Sequence, residues 1–339
     1  MKTLSISRRL MLSSVALGAS FWWPTAHAQG DASGPVVLYT SLNAQSVEAA
    51  TDMARKVLPK VKVNAVTGGS VPLLKRMETE AAKPQGDVFW TSSANLMANY
   101  PQLFEAYKSP ESAAIPASLH EPKNLWVAAN IHVVVAMLNT KRLEGPAPQS
   151  WADLTDPRFK GKIIIADPGN SSTAFTALTG IEQVLGTDGL KKLAANTTVS
   201  SAASNVVRSV GQGEYAVGIT FESTAYPYVA GGQKEIKIMY PSDGTFSVPD
   251  NMGLIKNAPN PVAAKKMYDM LLSKNAQIAL LENAYRRPSR TDIDVSKYVD
   301  MPPIAKIKIV PYDENKVAAG RDAFMARWQN YLAAARSGS

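Results

Sequence analysis

Short apolar runs alternate with longer amphipathic stretches along the chain after residue 34. The runs at 36–39, 61–66 and 87–90 are rich in β-branched and aromatic residues and have the length of buried strands. The stretch 44–57, which follows the first run, places its apolar residues at helical spacing. Helical stretches also follow the other two runs. The repeated order of strand, short loop and helix predicts an α/β fold with a parallel sheet.

The second half of the chain continues this alternation. The long apolar run 126–139 predicts one or two buried strands that carry the chain into a second lobe. We therefore expect four parts: a signal peptide at 1–28, the first part of lobe 1 at 29–130, lobe 2 at 131–248, and 249–339 as the return to lobe 1 with the C-terminal helices. Further strands are predicted at 162–166, 215–221, 236–240 and 252–255, and helices at 174–184, 189–196, 203–211, 261–272, 275–283 and within 312–335.

Loops rich in hydroxyl residues follow the predicted strands. In parallel sheets, ligands bind beyond the carboxyl ends of the strands, near helix N-termini. Hydroxyl side chains and free backbone N–H groups at such a terminus bind anions, although one loop alone is equally a simple helix cap. Because the loops recur, and 166–175 contains three consecutive hydroxyl residues, we expect them to form one anion site. Its candidate residues are Thr40, Ser41, Ser70, Ser92, Ser93, Ser171, Ser172 and Thr173.

The first 28 residues have the pattern of an export signal. Lys2, Arg8 and Arg9 precede the apolar run 10–23, and the small residues of 26–28 form a cleavage site. The two adjacent arginines fit a twin-arginine signal as well as an ordinary Sec signal. No cysteine follows the cleavage site, so a lipoprotein is excluded. This pattern predicts a periplasmic location.

Composition and charge narrow the function further. The formal net charge of +8 falls to about +5 once the signal peptide is removed, and the chain has no cysteine, which excludes disulfides and thiolate chemistry. Basic residues are scattered among acidic ones, so we expect no nucleic-acid binding, and the surplus suits a small anionic ligand. The chain lacks a nucleophile elbow, a zinc-binding helix motif and a P-loop, which argues against an enzyme, and we expect no cofactor. A secreted phosphatase or lyase stays the alternative from a different class.

Several short segments, in this order and spacing, make the chain after residue 34 resemble the periplasmic solute-binding proteins of ABC importers. The resemblance is narrower to the group with ferric-ion, thiamine, 2-aminoethylphosphonate, phosphoglycerate and hexose-phosphate binders. The segments that carry it are Val37-Leu38-Tyr39-Thr40, Gly86-Asp87-Val88-Phe89-Trp90, Trp151-Ala152-Asp153-Leu154, Asp156-Pro157-Arg158-Phe159-Lys160-Gly161-Lys162, Asn170-Ser171-Ser172-Thr173-Ala174-Phe175, Tyr240-Pro241-Ser242-Asp243-Gly244-Thr245 and Asn260-Pro261-Val262-Ala263-Ala264-Lys265-Lys266.

This resemblance implies a two-lobe binding-protein fold of type II, with hinge strands between the lobes and the ligand in the cleft. It also implies a monomer that closes around its ligand by a hinge motion. The closed form then docks on an inner-membrane permease that works with cytoplasmic ATPases. A binding protein of this kind is not an enzyme.

The resemblance leaves the ligand open between several classes. Ferric members of the group bind iron through neighbouring tyrosines after the strand that corresponds to 215–221. Here Pro227 separates Tyr226 from Tyr228, and the early histidine ligand of the group is missing, so we expect no metal. If the ligand were ferric, Glu222, Tyr226 and Tyr228 would hold it. We favour an organophosphate or phosphonate, of the 2-aminoethylphosphonate or sugar-phosphate type, over iron, thiamine or thiamine pyrophosphate.

Other polar and aromatic residues have both a functional and a structural interpretation. Glu222 either pairs with an ammonium group or sugar hydroxyls of the ligand, or is a solvated loop carboxylate. Tyr226, with Tyr39 and Trp90, either walls the cleft or packs in the core. His132 lies in an apolar strand and is interpreted as a core histidine, which leaves His120 as the other histidine of the mature chain. One arginine among Arg286, Arg287 and Arg290 is a candidate bidentate phosphate contact, unless all three lie in a solvated loop.

Overall fold

Strands and helices alternate through residues 33–91 and 94–337, which are the residues that the computed structural model describes. The predicted signal peptide, together with Ser92 and Ser93, lies outside them. The strands are β1 (Gly34–Thr40), β2 (Val61–Thr67), β3 (Val88–Thr91), β4 (Phe104–Glu105), β5 (Val127–Asn139), β6 (Ile163–Ala166), β7 (Thr197–Ser200), β8 (Val217–Phe221), β9 (Ile236–Met239), β10 (Ser247–Ile255) and β11 (Arg287–Pro288). The helices are α1 (Ala44–Val57), α2 (Ser70–Thr79), α3 (Ala94–Ala98), α4 (Ser172–Asn196), α5 (Ala203–Gly211), α6 (Glu222–Ala230), α7 (Pro261–Leu272), α8 (Lys274–Ala284), α9 (Glu314–Ala319) and α10 (Arg321–Ser337).

One continuous sheet joins two halves, in the order β2-β1-β3-β10-β5-β8-β6-β7. We call the half built on β1, β2, β3 and β10 lobe 1, and the half built on β6, β7, β8 and β9 lobe 2. β1 pairs in parallel with β2 and β3, and β6 pairs in parallel with β7 and β8. β5 belongs to both halves: residues 127–133 pair with β10, and residues 134–139 pair with β8 and β9. The predicted α/β class with strands crossing between two lobes is confirmed.

Each lobe has its own buried core. The lobe 1 core includes Leu38, Trp90 and residues of α1, α7 and α8. The lobe 2 core includes the inner residues of β6, β8 and α4, and also Trp328 from α10. Residues 249–339 therefore divide between the lobes: β10, α7 and α8 pack in lobe 1, whereas α10 packs against α4 of lobe 2.

Several of the short segments that carry the family resemblance are joined to one another by hydrogen bonds. The buried carboxylate of Asp87 accepts the backbone N–H of Asn260 at 2.8 Å, just before α7. The indole N–H of Trp151 donates to the carbonyl of Gly244 at 2.9 Å, and Asp243 accepts the backbone N–H of Trp151 at 3.0 Å. These segments thus fix distant parts of the chain against each other. Their contribution is structural.

The longest described helix, α4, is interrupted where the sequence predicts a break. The pattern predicts helices at 174–184 and 189–196, and Gly186 between them has φ +70° and ψ 177°. Because a left-handed φ carries little cost for glycine, the chain can turn there without strain. Among residues 33–91 and 94–337, no helix combines the length and apolar character needed to cross a bilayer.

Candidate functional site

A cleft of about 1020 Å³ lies between the two lobes. Its walls come from three parts of the chain that are far apart in sequence. Lobe 1 contributes the loops after β1 and β2 together with Leu96 and Asn99 at α3, lobe 2 contributes the loops after β6 and β7, and residues 312–321 form the third wall. The described lining residues are Ser41, Gly68, Gly69, Ser70, Val71, Pro72, Leu96, Asn99, Gly169, Asn170, Ser171, Ser172, Thr173, Phe175, Thr176, Ser201, Ala202, Ala203, Tyr312, Glu314, Val317, Ala318 and Arg321.

Among the described residues, five helices begin at this cleft, and three of them, α2, α4 and α5, directly follow parallel strands, whereas α9 and α10 begin there with Glu314 and Arg321. The N-terminal residues of α2, α4 and α5 all belong to its lining, because each helix follows a parallel strand whose carboxyl end lies at the same edge of its half-sheet. First-turn N–H groups have no partner within their own helix. Gly69 before α2 and Ala202 before α5 make no capping hydrogen bond through a side chain. The cleft therefore gathers backbone donors and the positive ends of the α2, α4 and α5 dipoles.

The loop before α4 presents the hydroxyl segment to the cleft. Asp167 accepts the backbone N–H of Gly169 at 2.9 Å, and its carbonyl accepts the N–H of Ser171 at 2.9 Å, so the loop is a tight turn. The Ser171 hydroxyl is then used as the helix cap, accepting the N–H of Ala174 at 3.2 Å. The next two residues, Ser172 and Thr173, line the cleft, and Ser172 is exposed there. Their hydroxyl and N–H groups are the donors that this loop offers to an anion.

On the lobe 1 wall, three hydroxyl groups form a connected set. The buried Thr91 hydroxyl lies 3.0 Å from the Ser41 hydroxyl and 2.6 Å from the Ser70 hydroxyl. Ser41 and Ser70 line the cleft, as expected, and Thr91 holds both in place from behind. One signal for Thr91 is visible in the sequence: like Thr40 and Thr67, it is a threonine at the last position of a parallel strand.

The other lobe 1 candidates are placed differently. Thr40 is fully buried, and its hydroxyl accepts the backbone N–H of Leu42 at 3.1 Å, closing the turn after β1. We therefore correct the assignment of Thr40 to the ligand site. Ser92 and Ser93 lie outside the described residues, so they stay predictions.

Glu222 also needs correction, because its carboxylate has two partners in the protein interior. Its side chain is buried, and Arg287 donates to its two oxygens at 2.5 and 2.6 Å. The Tyr240 hydroxyl donates to the same carboxylate. Glu222 is therefore neither a solvated loop residue nor part of the cleft lining. It joins the start of α6 in lobe 2 to β11, which pairs with β5.

The tyrosines proposed for the ferric alternative do not line the cleft either. Tyr226 is buried beside Tyr285, and its hydroxyl donates to the carbonyl of Asp300 at 2.6 Å. Burial raises the pKa of Tyr226 to about 12, so its phenol stays protonated at neutral pH. The Tyr228 ring packs against Gly211 at the edge of the lobe 2 core. Tyr39 and Trp90 are fully buried as well, which leaves them core residues.

The predicted arginine loop does not supply a cation to the cleft. Arg286 donates to Asp250 at 2.9 Å and to the Ser46 hydroxyl at 2.9 Å, both in the interior. Arg290 binds Asp292 and Glu111 at 2.9 and 2.7 Å. Together with the Arg287 pair, every guanidinium of this loop is engaged by a carboxylate, so the assignment of a phosphate contact here is corrected.

His132 is a core histidine, as expected, and it is part of the Arg286 network. Its ring stacks on Phe221 with centroids 4.4 Å apart, and its Nε2 accepts a hydrogen bond from Arg286 at 2.9 Å. Because an arginine can only donate, the ring is neutral with its proton on Nδ1, facing the Ser223 hydroxyl. Burial, and then the adjacent Arg286, lower the pKa of His132, and the nearby carboxylates of Asp250 and Glu222 oppose this only in part.

This histidine makes the protein less stable in mild acid. The unfolded chain takes up a proton on His132 near pH 6.5, which the folded state does not, so stability falls as the pH drops below that value. We expect a loss of up to about 1.4 kcal/mol per pH unit from this residue. The free energy of unfolding is measured by denaturation in guanidinium chloride at pH values from about 7 to about 5.5. His132→Gln should show a shallower dependence on pH than the wild type and than His120→Gln, and equal dependences would contradict the account.

One cation, Arg321, does line the cleft, and no local pattern in the sequence points to it. Arg321, the first residue of α10, places its guanidinium 4.3 Å from the centroid of the Phe175 ring. Its Nη2 donates to the carbonyl of Pro168 at 3.1 Å. Among the described lining residues, it is the one lysine, arginine or histidine. Its position on the C-terminal helix gave no local signal that it would meet the loop before α4.

Comparisons with known proteins show which family and which solved structures the chain is similar to. Residues 84–316 match the family described as bacterial extracellular solute-binding protein. A Salmonella typhimurium periplasmic protein named for 2-aminoethylphosphonate binding is 27% identical over 259 residues, which cover 70% of this chain and 72% of the relative. Iron uptake protein A1 of Synechocystis is 24% identical, covering 70% and 71% of the two chains.

A solved structure extends the likeness over nearly the whole described chain. The periplasmic binding protein AfuA from Actinobacillus pleuropneumoniae, with exogenous fructose-6-phosphate bound, superposes with a TM-score of 0.75 at 28% identity. The match covers 88% of this chain and 98% of that one.

Proposed function

Because the chain belongs to the family of bacterial extracellular solute-binding proteins, we propose that it captures a small phosphorylated or phosphonate compound in the periplasm for import. The observation that carries this proposal is the convergence of the N-termini of α2, α4 and α5, hydroxyl side chains from both lobes and one arginine on a single cleft between the lobes. The hydroxyl residues include Ser41, Ser70, Ser172 and Thr173. Delivery to an ABC permease and its ATPase follows from the family.

The donors of this cleft suit a phosphorus oxyanion. Each phosphoryl oxygen accepts several hydrogen bonds, and backbone N–H groups at helix N-termini together with hydroxyls supply them without a large positive charge. A hydrogen bond to a charged group contributes about 1.5–3 kcal/mol. Ser172 and Thr173 on lobe 2 face Ser41 and Ser70 on lobe 1, so a bound anion would tie the two lobes together. Such bridging favours the closed form that a permease recognises.

A ferric ligand is the alternative that the name of the Synechocystis relative suggests. Hard Fe³⁺ favours phenolate and carboxylate oxygens. Tyr312 is the tyrosine among the described lining residues, its hydroxyl lies 2.8 Å from that of Thr179, and burial raises its pKa. Among residues 33–91 and 94–337, no three histidine, cysteine, aspartate or glutamate side chains could hold a metal ion together. The donor set of the cleft therefore supports an oxyanion better than iron.

The group attached to the phosphorus is the next question. The carboxylate of Glu222, which the sequence suggested as a partner for an ammonium group, binds Arg287 and is not available to the ligand. Glu314 is the acidic residue among the described lining residues and would take that role for an aminophosphonate. The side chains of Asn99, Asn170 and Ser201 also line the cleft and suit the hydroxyls of a sugar phosphate. A hexose phosphate and 2-aminoethylphosphonate are therefore the two ligands that we propose to test first.

Calorimetric titration of the ligand-free protein tests this proposal. The panel is fructose-6-phosphate, fructose, 2-aminoethylphosphonate, phosphoglycerate, thiamine pyrophosphate and ferric ion. We expect saturable binding of at least one phosphorus compound and none of fructose. Tight ferric binding with a tyrosinate charge-transfer colour, and no affinity for any phosphorus compound, would refute the proposal. Release of free phosphate from fructose-6-phosphate during the titration would instead support the phosphatase alternative.

A further inference from the structure

The C-terminal helix is fixed in place by its own apolar side, and this fixes Arg321. Phe324, Trp328 and Leu332 recur at helical spacing, and all three are buried against the lobe 2 core. Arg327 on the same helix pairs with Glu182 of α4 at 2.8 Å. Since α10 cannot rotate or slide without breaking these contacts, its first residue is held at the cleft.

The guanidinium of Arg321 is positioned but only partly used by the protein. Its flat face lies on Phe175, and Nη2 donates to Pro168 in the loop before α4. Among the described residues, its Nε and Nη1 have no hydrogen-bond partner and the side chain forms no ion pair. The guanidinium thus keeps two donor nitrogens in the cleft that Ser172 and Thr173 also line, and it supports their loop through Pro168.

Within the part of the chain that the structure describes, no acidic side chain forms an ion pair with Arg321. Arg286, Arg287, Arg290 and Arg327 are each within 3 Å of a carboxylate. Arg321 instead lies next to the N-terminus of α4, where the helix dipole adds positive potential. A cation beside a positive helix end is unfavourable unless an anion binds between them. A ligand group with two negative charges would compensate this positive potential better than a group with one.

We propose that Arg321 is the charged contact that makes the cleft select a dianionic phosphorus group, through its two unused donors. This inference rests on the proposed function, because it assigns a contact and a charge state to the ligand of that same cleft. The forked guanidinium can bind two oxygens of one phosphoryl group, which the point charge of a lysine cannot do equally well. The C-terminal helix is then part of the binding site, although it lies outside the loops that follow the strands.

The charge state of the ligand gives a test that distinguishes a ligand contact of Arg321 from a purely structural role. A phosphate monoester loses its second proton near pH 6. If Arg321 selects the dianion, affinity for fructose-6-phosphate should rise with pH across that value in the wild type. The rise should be smaller once the guanidinium is removed, because monoanion and dianion are then bound more equally.

The experiment compares wild type, Arg321→Gln, Arg321→Lys and Arg327→Gln, with fructose-6-phosphate and 2-aminoethylphosphonate as probes at about pH 5.5 and about pH 7.5. We expect Arg321→Gln to bind at least about tenfold more weakly at the higher pH, with a reduced dependence on pH. Arg321→Lys should lie between Arg321→Gln and the wild type. Arg327→Gln removes the partly exposed ion pair with Glu182 but keeps the buried contacts of α10 with the lobe 2 core, which suffice to hold the helix, so it should bind like the wild type. Thermal melts confirm that the variants are folded.

The outcomes separate this inference from the proposed function. If the wild type binds neither probe, the proposed function fails and this inference fails with it. If the wild type binds a probe and Arg321→Gln binds it equally, with the same dependence on pH, the proposed function stands and the inference is overturned. An equal loss in Arg321→Gln and Arg327→Gln would also overturn it, because the effect would then come from the packing of α10.

Discussion

Replacing Arg287 with methionine is expected to lower the free energy of unfolding by about 3–5 kcal/mol. The substitution keeps most of the volume of the side chain but leaves the Glu222 carboxylate, which is 1% exposed, with the Tyr240 hydroxyl as its remaining partner. A buried charge without its counter-ion is costly, because no solvent replaces the lost hydrogen bonds. The pair also holds α6 of lobe 2 to β11, so its loss weakens a joint near the crossing strand β5.

Unfolding in guanidinium chloride, followed by circular dichroism, measures this change in the free energy of unfolding. Arg55→Met is the matched control, because Arg55 pairs with Asp52 on the exposed surface of α1 and should cost less than about 1 kcal/mol. The double variant Glu222→Gln with Arg287→Met should recover much of the lost stability, since no unpaired charge remains. A loss in Arg287→Met no larger than that of Arg55→Met would show that the pair does not stabilise the fold.

Replacing Thr173 with aspartate is expected to weaken binding of the phosphorus ligand by at least about 100-fold. Thr173 is the second residue of α4 and lines the cleft. The substitution removes one hydroxyl donor and places a negative charge where the account puts the oxyanion, so like charges repel. The fold should not suffer, because an acidic residue in the first turn of a helix is favourable by about 0.3–1 kcal/mol.

The combination of lost binding and retained stability is the informative result. Asn275→Asp introduces the same charge at the second residue of α8, outside the cleft lining, and should leave affinity unchanged. Titration calorimetry and thermal melts on both variants provide the measurements. If the affinity of Thr173→Asp were within about threefold of that of the wild type, the hydroxyl segment 170–175 would serve only as a helix cap.

The sequence predicted those parts of the site that depend on local order along the chain. A hydroxyl loop between a strand and a helix signals both a cap and a donor group, and Ser41, Ser70, Ser172 and Thr173 all line the cleft. The parallel pairing of β1 with β2, and of β6 with β7, then brings the loops of each lobe to one edge. The same local reasoning recognised His132 as a core residue.

The parts that could not be predicted depend on partners far away in the sequence. The sequence around Glu222 is typical of a loop at the end of a strand. The burial of its carboxylate depends on Arg287, which lies 65 residues further along the chain. Thr40 and Thr91 both end strands, yet one closes a turn and the other supports two cleft serines. Arg321 meets Phe175 because α10 packs on α4, which no pattern within either helix reveals.

The two lobes each contribute hydrogen-bond donors to the cleft. Donors from lobe 1 and lobe 2 lie on opposite walls, and β5 runs through both halves of the sheet. A ligand that contacts both walls stabilises the arrangement in which the lobes are closed, by its differential affinity for that arrangement. The buried Arg287 and Glu222 pair then provides structural support near the crossing strand, separate from ligand recognition.

A crystal structure of the protein with fructose-6-phosphate or 2-aminoethylphosphonate tests the central claim most directly. The account predicts the phosphorus group at the N-terminus of α4, with its oxygens about 3 Å from the N–H and hydroxyl groups of Ser172 and Thr173 and from the guanidinium of Arg321. The substituent should extend toward the lobe 1 wall at Ser41 and Ser70. A phosphorus group bound elsewhere, or a cleft that takes up iron through other side chains and leaves these donors unused, would contradict it.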